Sequence, residues 1–218
     1  AERAENGHAT RRRLFAEDSA RGFAFIDMCR KRYDVVLMNP PFGEASRASR
    51  GYIDNKYPQH KTEILACFVS RSLESLHEFG MSGVLSSRTV LVNATCEALR
   101  KEMGQSDNAV AAVADLGYGV LDAAMVEAAA YVSIHRRNDS ATPFLSMLKM
   151  GDKETSLLSS VADLQAGKLQ QHVYLFDIKQ MEQVVRFPWA YWLPPEILSV
   201  FQNNQSLEDS FGRVRVGS

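Results

Sequence analysis

YDVVLMNPPFG, Tyr33 to Gly43, is the stretch that decides how this chain folds. Val35 to Met38 is a short apolar run with two β-branched residues, and it stops at Asn39-Pro40-Pro41. Such a run predicts a strand of a parallel sheet, buried on both faces and covered by helices. The two prolines cannot continue the ladder, so the chain leaves the sheet at the strand's carboxyl end. Open α/β sheets bind their ligands there.

Working outward, 12–17 (RRLFAE) reads as a strand ending at Asp18. Residues 19–32 follow as a helix with Ser19 as its N-cap. Downstream, Ile64, Leu65, Phe68, Val69, Leu73 and Leu76 share one helical face, which predicts a helix over 61–79 ended by Gly80 and Gly83. A strand over 83–87, a helix around 92–103 and strands over 109–116 and 128–135 complete the pattern. This is the order of a doubly wound α/β sheet. The last two strands are joined by about eleven residues without helical pattern, too few for a parallel crossover, so they should pair antiparallel.

A boundary is expected near 138–142, dividing 1–137 from a smaller α+β segment, 138–218. The second segment opens on a turn at Asn138-Asp139-Ser140. A strand over 142–150, a helix over 155–167 and a strand over 172–178 come next, then the aromatic passage FPWAYWLPP (187–195). Clustered aromatics beside prolines suit a core or interface, and Trp189, Tyr191 and Trp192 could also stack on nucleotides. Residues 43–60, rich in Ser, Arg and Gly, read either as a mobile surface loop or as one that brings His60-Lys61 to a DNA backbone. The ending SFGRVRVGS has no terminating character, so the chain is expected to continue past it.

Composition narrows the function classes. The 218 residues carry 25 basic and 26 acidic side chains, a net charge of −1. That lacks the basic surplus usual in a nucleic-acid-binding protein, which weighs against DNA binding by this piece alone. Arg11-Arg12-Arg13 suits a solvated edge or a phosphate contact. Cys29, Cys67 and Cys96 are isolated, and the five histidines (8, 60, 77, 135, 172) show no metal-ligand spacing, so no zinc is expected. No signal segment or membrane span is visible, and a cytoplasmic protein with reduced thiols is expected.

Asn39-Pro40-Pro41-Phe42 carries the chemistry. Asn-Pro and Pro-Pro are also ordinary turn punctuation. Their place directly after an apolar strand of an α/β pattern gives them a second meaning. An exocyclic amine such as that of adenine attacks poorly, because its lone pair is delocalised into the ring. Two acceptors on its two N–H groups draw the nitrogen toward sp³ geometry. The Asn39 side-chain oxygen supplies one acceptor and the Pro40 carbonyl the other. Proline's fixed φ holds that carbonyl outside the strand end. Phe42 offers a flat face for a base drawn out of a duplex.

DVVLMNPPFG (34–43) resembles motif IV of the amino-methyltransferases, and the order around it resembles the gamma class of N6-adenine DNA methyltransferases. GVLSSRTVL (83–91) is similar to the following strand and loop. DLGYGVLDAAMVEAAAY (115–131) is similar to the penultimate strand, target-base loop and last strand. The closest likeness is to PglX-like methylases of BREX phage-defence systems and to single-chain restriction-modification methylases, over about 12–137. The resemblance implies a partial doubly wound, Rossmann-like methyltransferase sheet. It implies S-adenosylmethionine as methyl donor and double-stranded DNA with a flipped adenine as substrate, with other defence-system subunits as further partners.

Residue by residue, the resemblance makes Asn39 and Pro40 the amine acceptors, with Pro41 and Phe42 completing the motif. Asp18 falls where an acidic residue lies near the cofactor adenine, although a helix-start carboxylate reads the same way. Phe68 matches an aromatic of the adenine pocket, while its helical spacing suits core packing. In the target-base loop, relatives often carry an aromatic where this chain has Leu121, with Tyr118 nearby. Glu63 stands where Asn or Asp is expected and receives no role. The family's glycine-rich cofactor turn should precede Asn39, and none does. The expectation is therefore a catalytic rear half whose cofactor turn lies before Ala1, and which alone neither binds S-adenosylmethionine well nor methylates DNA. Methylation of RNA adenine or of a protein glutamine amide, and a non-catalytic DNA-binding module, stand as alternatives. Cytosine-N4 methylation fits less well, because Ser usually replaces Asn in that motif.

Overall fold

The computed structural model describes residues 2–105, 108–121, 126–136 and 140–203. They belong to two compact units, Ala1–Tyr33 and Asp34–Ser218.

The first unit is a single helix, α1 (Glu2–Arg30), after which the Tyr33 hydroxyl donates to the Met28 carbonyl at 2.7 Å. The expected strand over 12–17 is absent, and Asp18 and Ser19 lie inside the helix instead of at a strand end and a cap. The reason is local. Arg11 to Ala20 is rich in good helix formers and contains no Gly or Pro to separate a strand from a helix.

The second unit is built on a six-stranded mixed sheet of order β1-β2-β4-β3-β5-β6. Its strands are β1 (Tyr33–Met38), β2 (Leu76–Ser87), β3 (Ala109–Gly117), β4 (Ala128–Ile134), β5 (Thr142–Ser146) and β6 (Val173–Phe176). β4 inserts antiparallel between β2 and β3, with Val84 opposite Tyr131 and Val113 opposite Tyr131 on its other side. The short final connection thus pairs antiparallel as expected. β5 then joins β3 in parallel, with Val113 opposite Phe144, and β6 closes antiparallel on β5. The sheet therefore continues through the boundary expected near 138–142. Residues 137–139, with most of the expected turn, lie outside the described residues.

Two elements differ from expectation between β1 and β2. The helix expected over 61–79 is α3 (Ile64–Glu74), and β2 starts at Leu76. Ser75 ends the helix with its N–H and its hydroxyl both donating to the Ser72 carbonyl, at 3.0 and 2.8 Å. The expected surface loop over 43–60 contains a helix, α2 (Arg47–Lys56). Ser46 caps it by accepting from the Ser49 N–H. Ile53 and Tyr57, one turn apart, are buried with Ala45 and Cys67. His60 is also buried, with Nε2 hydrogen-bonded to Glu102 Oε2 at 2.8 Å, so it is no loop-tip residue.

One face of the sheet carries the main core. Leu65 and Val69 of α3, and Leu99 and Met103 of α4 (Glu97–Gln105), pack with Val84, Val113, Tyr131, Phe144, Phe187 and Trp189. Each such large apolar side chain contributes about 1.5–3 kcal/mol on burial. The opposite face is smaller, with Leu145, Met147 and Val173 under Leu157 and Leu164 of α5 (Lys153–Gln165). β1 is an edge strand, and among the described residues one of its faces is covered, not both as expected. Val36 and Met38 pack against the main core, whereas Leu37 is 80% exposed. Gly83 leaves room beside it, since a Cβ there would lie 2.7 Å from Leu37 Cδ2.

Arg100 ties the chain's later turns to this core. It is fully buried, and its guanidinium donates to four carbonyls: Val90 and Asn93 at 2.8 Å, Phe187 at 2.7 Å and Arg186 at 2.6 Å. Burial pulls its pKa down to about 10, which still leaves it charged at neutral pH.

Candidate active site

Asn39-Pro40-Pro41-Phe42 follows β1 directly as irregular chain. Pro40 is buried, Asn39 and Pro41 are exposed, and Phe42 keeps 38% of its surface exposed. No donor among the described residues reaches the Asn39 carboxamide or the Pro40 carbonyl. Both acceptors are therefore uncommitted.

The motif is held from behind by Gly43. Its N–H donates to Glu63 Oε1 at 2.8 Å, and its carbonyl accepts from the Ile64 N–H at 2.8 Å. Its φ of +92° is one that side-chain-bearing residues rarely adopt. Glu63 precedes α3 without capping it, so its carboxylate is spent on the motif loop. This latch also orients the sheet. Gly43 sits at the start of α3, and α3 turns through Ser75 into β2 and runs back along it, with Ser72 Oγ 3.0 Å from Ser82 Oγ. The carboxyl ends of β1 and β2 thus share one edge.

The same edge gathers further side chains. Arg88 follows β2, Tyr118 and Leu121 follow β3, and Glu127 precedes β4. Arg88 Nε donates to Asp115 Oδ1 at 2.6 Å, and Nη1 donates to Glu127 Oε2 at 3.3 Å. Asp115 is fully buried, and its other oxygen accepts from the Tyr191 hydroxyl at 2.8 Å. The hydrogen bond that Arg88 donates to Asp115 raises the Arg88 pKa. This cluster links three strand ends and the aromatic passage, and sequence reading gave it no role. The visible signal was an aspartate inside the apolar run AVAAVADL.

The expected target-base residues divide. Tyr118 is 61% exposed, free to face a ligand. Leu121 instead packs, partly buried, against the cluster around Leu116 and Ala128. β1 and β3 are separated by β2 and β4, a span of about 14 Å at the usual strand spacing. Residues 122–125 of that loop lie outside the described residues.

The expected cofactor residues fit less well. Phe68 is 47% exposed although its neighbours Leu65, Ala66, Cys67 and Val69 are buried, so it is no core residue and its ring is available for stacking. Asp18 is an exposed side chain within α1. The Phe68 ring supplies one wall for a nucleoside donor and not a whole cradle. Among the described residues no three His, Cys, Asp or Glu side chains group to hold a metal ion, and no helix is long and apolar enough to cross a membrane.

Comparison with known proteins gives the following. The family model described as Eco57I restriction-modification methylase matches residues 3–118, just over half of the chain. No curated protein matches. Among solved structures, the chain is similar to the modification subunit of a candidate type I restriction enzyme from Vibrio vulnificus YJ016. The identity is 15% and the TM-score 0.59, over 70% of this chain and 35% of that one. It is also similar to a chain of an assembled type I restriction-modification system, at 15% identity and a TM-score of 0.57, over 83% and 43%. A third likeness is to DrdV in complex with DNA, at 13% identity and a TM-score of 0.51, over 78% and 19%. At these identities the likeness is one of fold. The chain spans under half the length of each of these relatives.

Proposed function

The chain belongs to the Eco57I restriction-modification methylase family, and on that premise we propose that it carries the acceptor-activating part of a DNA methyltransferase acting on adenine N6. The observation that carries this reading is the pair of uncommitted acceptors at the end of β1, backed by a half-exposed aromatic ring.

The adenine amino group, swung out of the duplex, donates its two N–H groups to the Asn39 side-chain oxygen and the Pro40 carbonyl. Both bonds strengthen as nitrogen pyramidalises, so they act mainly in the transition state. Phe42 stacks on the base, worth about 1–3 kcal/mol. The Gly43–Glu63 latch keeps these groups from relaxing away, which is where preorganisation enters the rate. S-adenosylmethionine, the donor that the family resemblance implies, supplies an electrophilic methyl group when bound, and Phe68 is the ring in this chain available to stack on its adenine.

Similarity to a protein solved with DNA and to a chain of an assembled restriction-modification system supports DNA and other defence subunits as partners. Residues 138–218 are, in this reading, the start of a target-recognition or connecting region. The test is transfer of labelled methyl groups by the full-length gene product carrying this sequence, with the products digested to nucleosides. N6-methyladenine from duplex DNA is the expected product. Label in cytosine, in RNA alone or in protein overturns the assignment.

A further inference from the structure

We propose that the cavity beside Arg88 and Trp192 is a second nucleobase site, holding an unpaired base of the DNA other than the target adenine. The inference rests on the methylase reading for the source of that base, not for the base chemistry itself.

The cavity is about 600 Å³ and is lined by Arg88, Ser146, Lys149, His172, Tyr174 and Trp192. It lies at the sheet edge where β2, β3 and β5 end, so it opens on the side that carries the Asn39 motif. The aromatic passage near it is sorted by exposure. Phe187 and Trp189 are buried in the core, whereas Trp192 is 42% exposed and Tyr174 39% exposed. Two large rings thus remain partly solvated at the wall of a cavity, where apolar burial alone would have turned them inward.

These rings are held in place before any ligand arrives. Trp192 packs edge-on to Tyr191 at 5.0 Å, with the Arg88 guanidinium 5.5 Å from its ring centre. Tyr174 meets Tyr191 at 5.2 Å, and Tyr191 is fixed by its hydroxyl on buried Asp115. The ordering cost of a stacking wall is therefore already met by the fold.

The electrostatics select a base over a phosphate. Arg88 is neutralised by Asp115 and Glu127, so the cavity floor offers no net positive charge. Its Nη2 is bonded to no other described residue and can donate to an acceptor edge, as arginine does to guanine. Lys149, exposed at the rim and without an ion-pair partner among the described residues, is placed for the phosphate attached to such a base. Stacking rings beside a cation that reaches the attached phosphate are the pattern of a single-stranded nucleotide site. β1 and β5 are four strand spacings apart, about 19 Å, so this base and the target belong to different nucleotides.

The chain holds two tryptophans, and Trp189 is buried, so quenching by a bound base reports mainly on Trp192. The test titrates the 218-residue chain with short single-stranded oligonucleotides, with blunt duplexes and with guanosine 5′-monophosphate. Saturable quenching is expected, with single strands binding more tightly than blunt duplexes. Tyr174→Ala should weaken binding by about five- to hundred-fold, the loss of one stacking partner, and Tyr174→Phe should retain it. Lys149→Gln should weaken the oligonucleotide at low salt and reduce its salt dependence by about one phosphate contact. Absence of quenching by every nucleotide, or unchanged binding in Tyr174→Ala with Tyr174→Phe as folding control, overturns the site. Equal affinity for the free nucleotide and the oligonucleotide supports a base site but overturns DNA as its source. Methyl transfer by the full-length gene product keeps the two readings apart. If transfer persists while Tyr174→Ala leaves base binding untouched, only this inference falls.

Discussion

Glu63 and Gly43 lie twenty residues apart, and the carboxylate of the first accepts the backbone N–H of the second at 2.8 Å. The return bond, from the Ile64 N–H to the Gly43 carbonyl, makes the contact a closed latch between the Asn39 motif and the start of α3. Glu63→Ala should therefore lower turnover more than it raises the Michaelis constant for DNA, because the acceptors lose their fixed position rather than their identity. The stability cost should be only about 1 kcal/mol, as for one solvent-accessible hydrogen bond. Glu63→Gln retains an acceptor and should restore most of the rate. Steady-state methyl transfer and thermal melting of the variants check both halves.

The Arg88–Asp115–Tyr191 cluster should behave as a unit. Asp115 is fully buried and serves two donors, so Asp115→Ala takes the acceptor from the Tyr191 hydroxyl and leaves the partly solvated Arg88 with Glu127 alone. A fully buried broken pair costs about 3–5 kcal/mol, and the exposure of Arg88 places this one near the lower end. Tyr191→Phe should cost about 1 kcal/mol. The two changes combined should cost less than their sum, since both remove the same hydrogen bond. Urea unfolding of the single and double variants measures the coupling, and strict additivity would contradict a shared network.

Phe68 and Leu65 share α3 but not a role. Leu65→Ala should cost about 2–5 kcal/mol, as expected for a buried leucine. Phe68→Ala should cost less than about 1 kcal/mol, because the ring is half exposed. If Phe68 faces the methyl donor, its loss appears instead as weaker cofactor affinity in the full-length gene product. A large stability loss at Phe68 in denaturant would return it to the core.

Arg100 gives a sharper stability prediction. Its fork satisfies four carbonyls from two distant chain segments, and neither Met nor Lys can reproduce that geometry. Arg100→Met and Arg100→Lys should each destabilise by about 3 kcal/mol or more, leaving buried carbonyls unpaired. Lower midpoints in urea for both variants, with Lys no better than Met, are the expected outcome.

Much of the architecture was legible because local signals agreed. The apolar run ending at two prolines marked β1, and the short link before Ala128 marked an antiparallel β4. The missed elements are those decided by distant partners. Leu76 continues the helical period of α3 yet starts β2, because Ser75 turns the chain and β4 offers a ladder to the strand from Met81 onward. Nothing in the order of residues separated α1 into pieces, and a strand over 12–17 rested on its place before a helix. In the site, Asn39, Pro40 and Phe42 were readable as a contiguous motif. Glu63, Asp115 and Tyr191 were not, since each acts through a partner 20 to 76 residues away.

The central claim is that Asn39 activates an adenine amine by accepting one of its two N–H bonds. The most direct measurement is methyl transfer by Asn39→Ala in the full-length gene product carrying this sequence, on a duplex containing the target site. Gel-shift affinity at fixed salt is measured on the same preparation. Turnover should fall by about 10²–10³-fold, the effect of removing one preorganised transition-state hydrogen bond. Affinity for DNA should change far less, because phosphate contacts dominate it. Near-full activity on adenine in Asn39→Ala would contradict the assigned chemistry, and loss of activity through collapse of DNA binding alone would reduce Asn39-Pro40-Pro41-Phe42 to a structural turn.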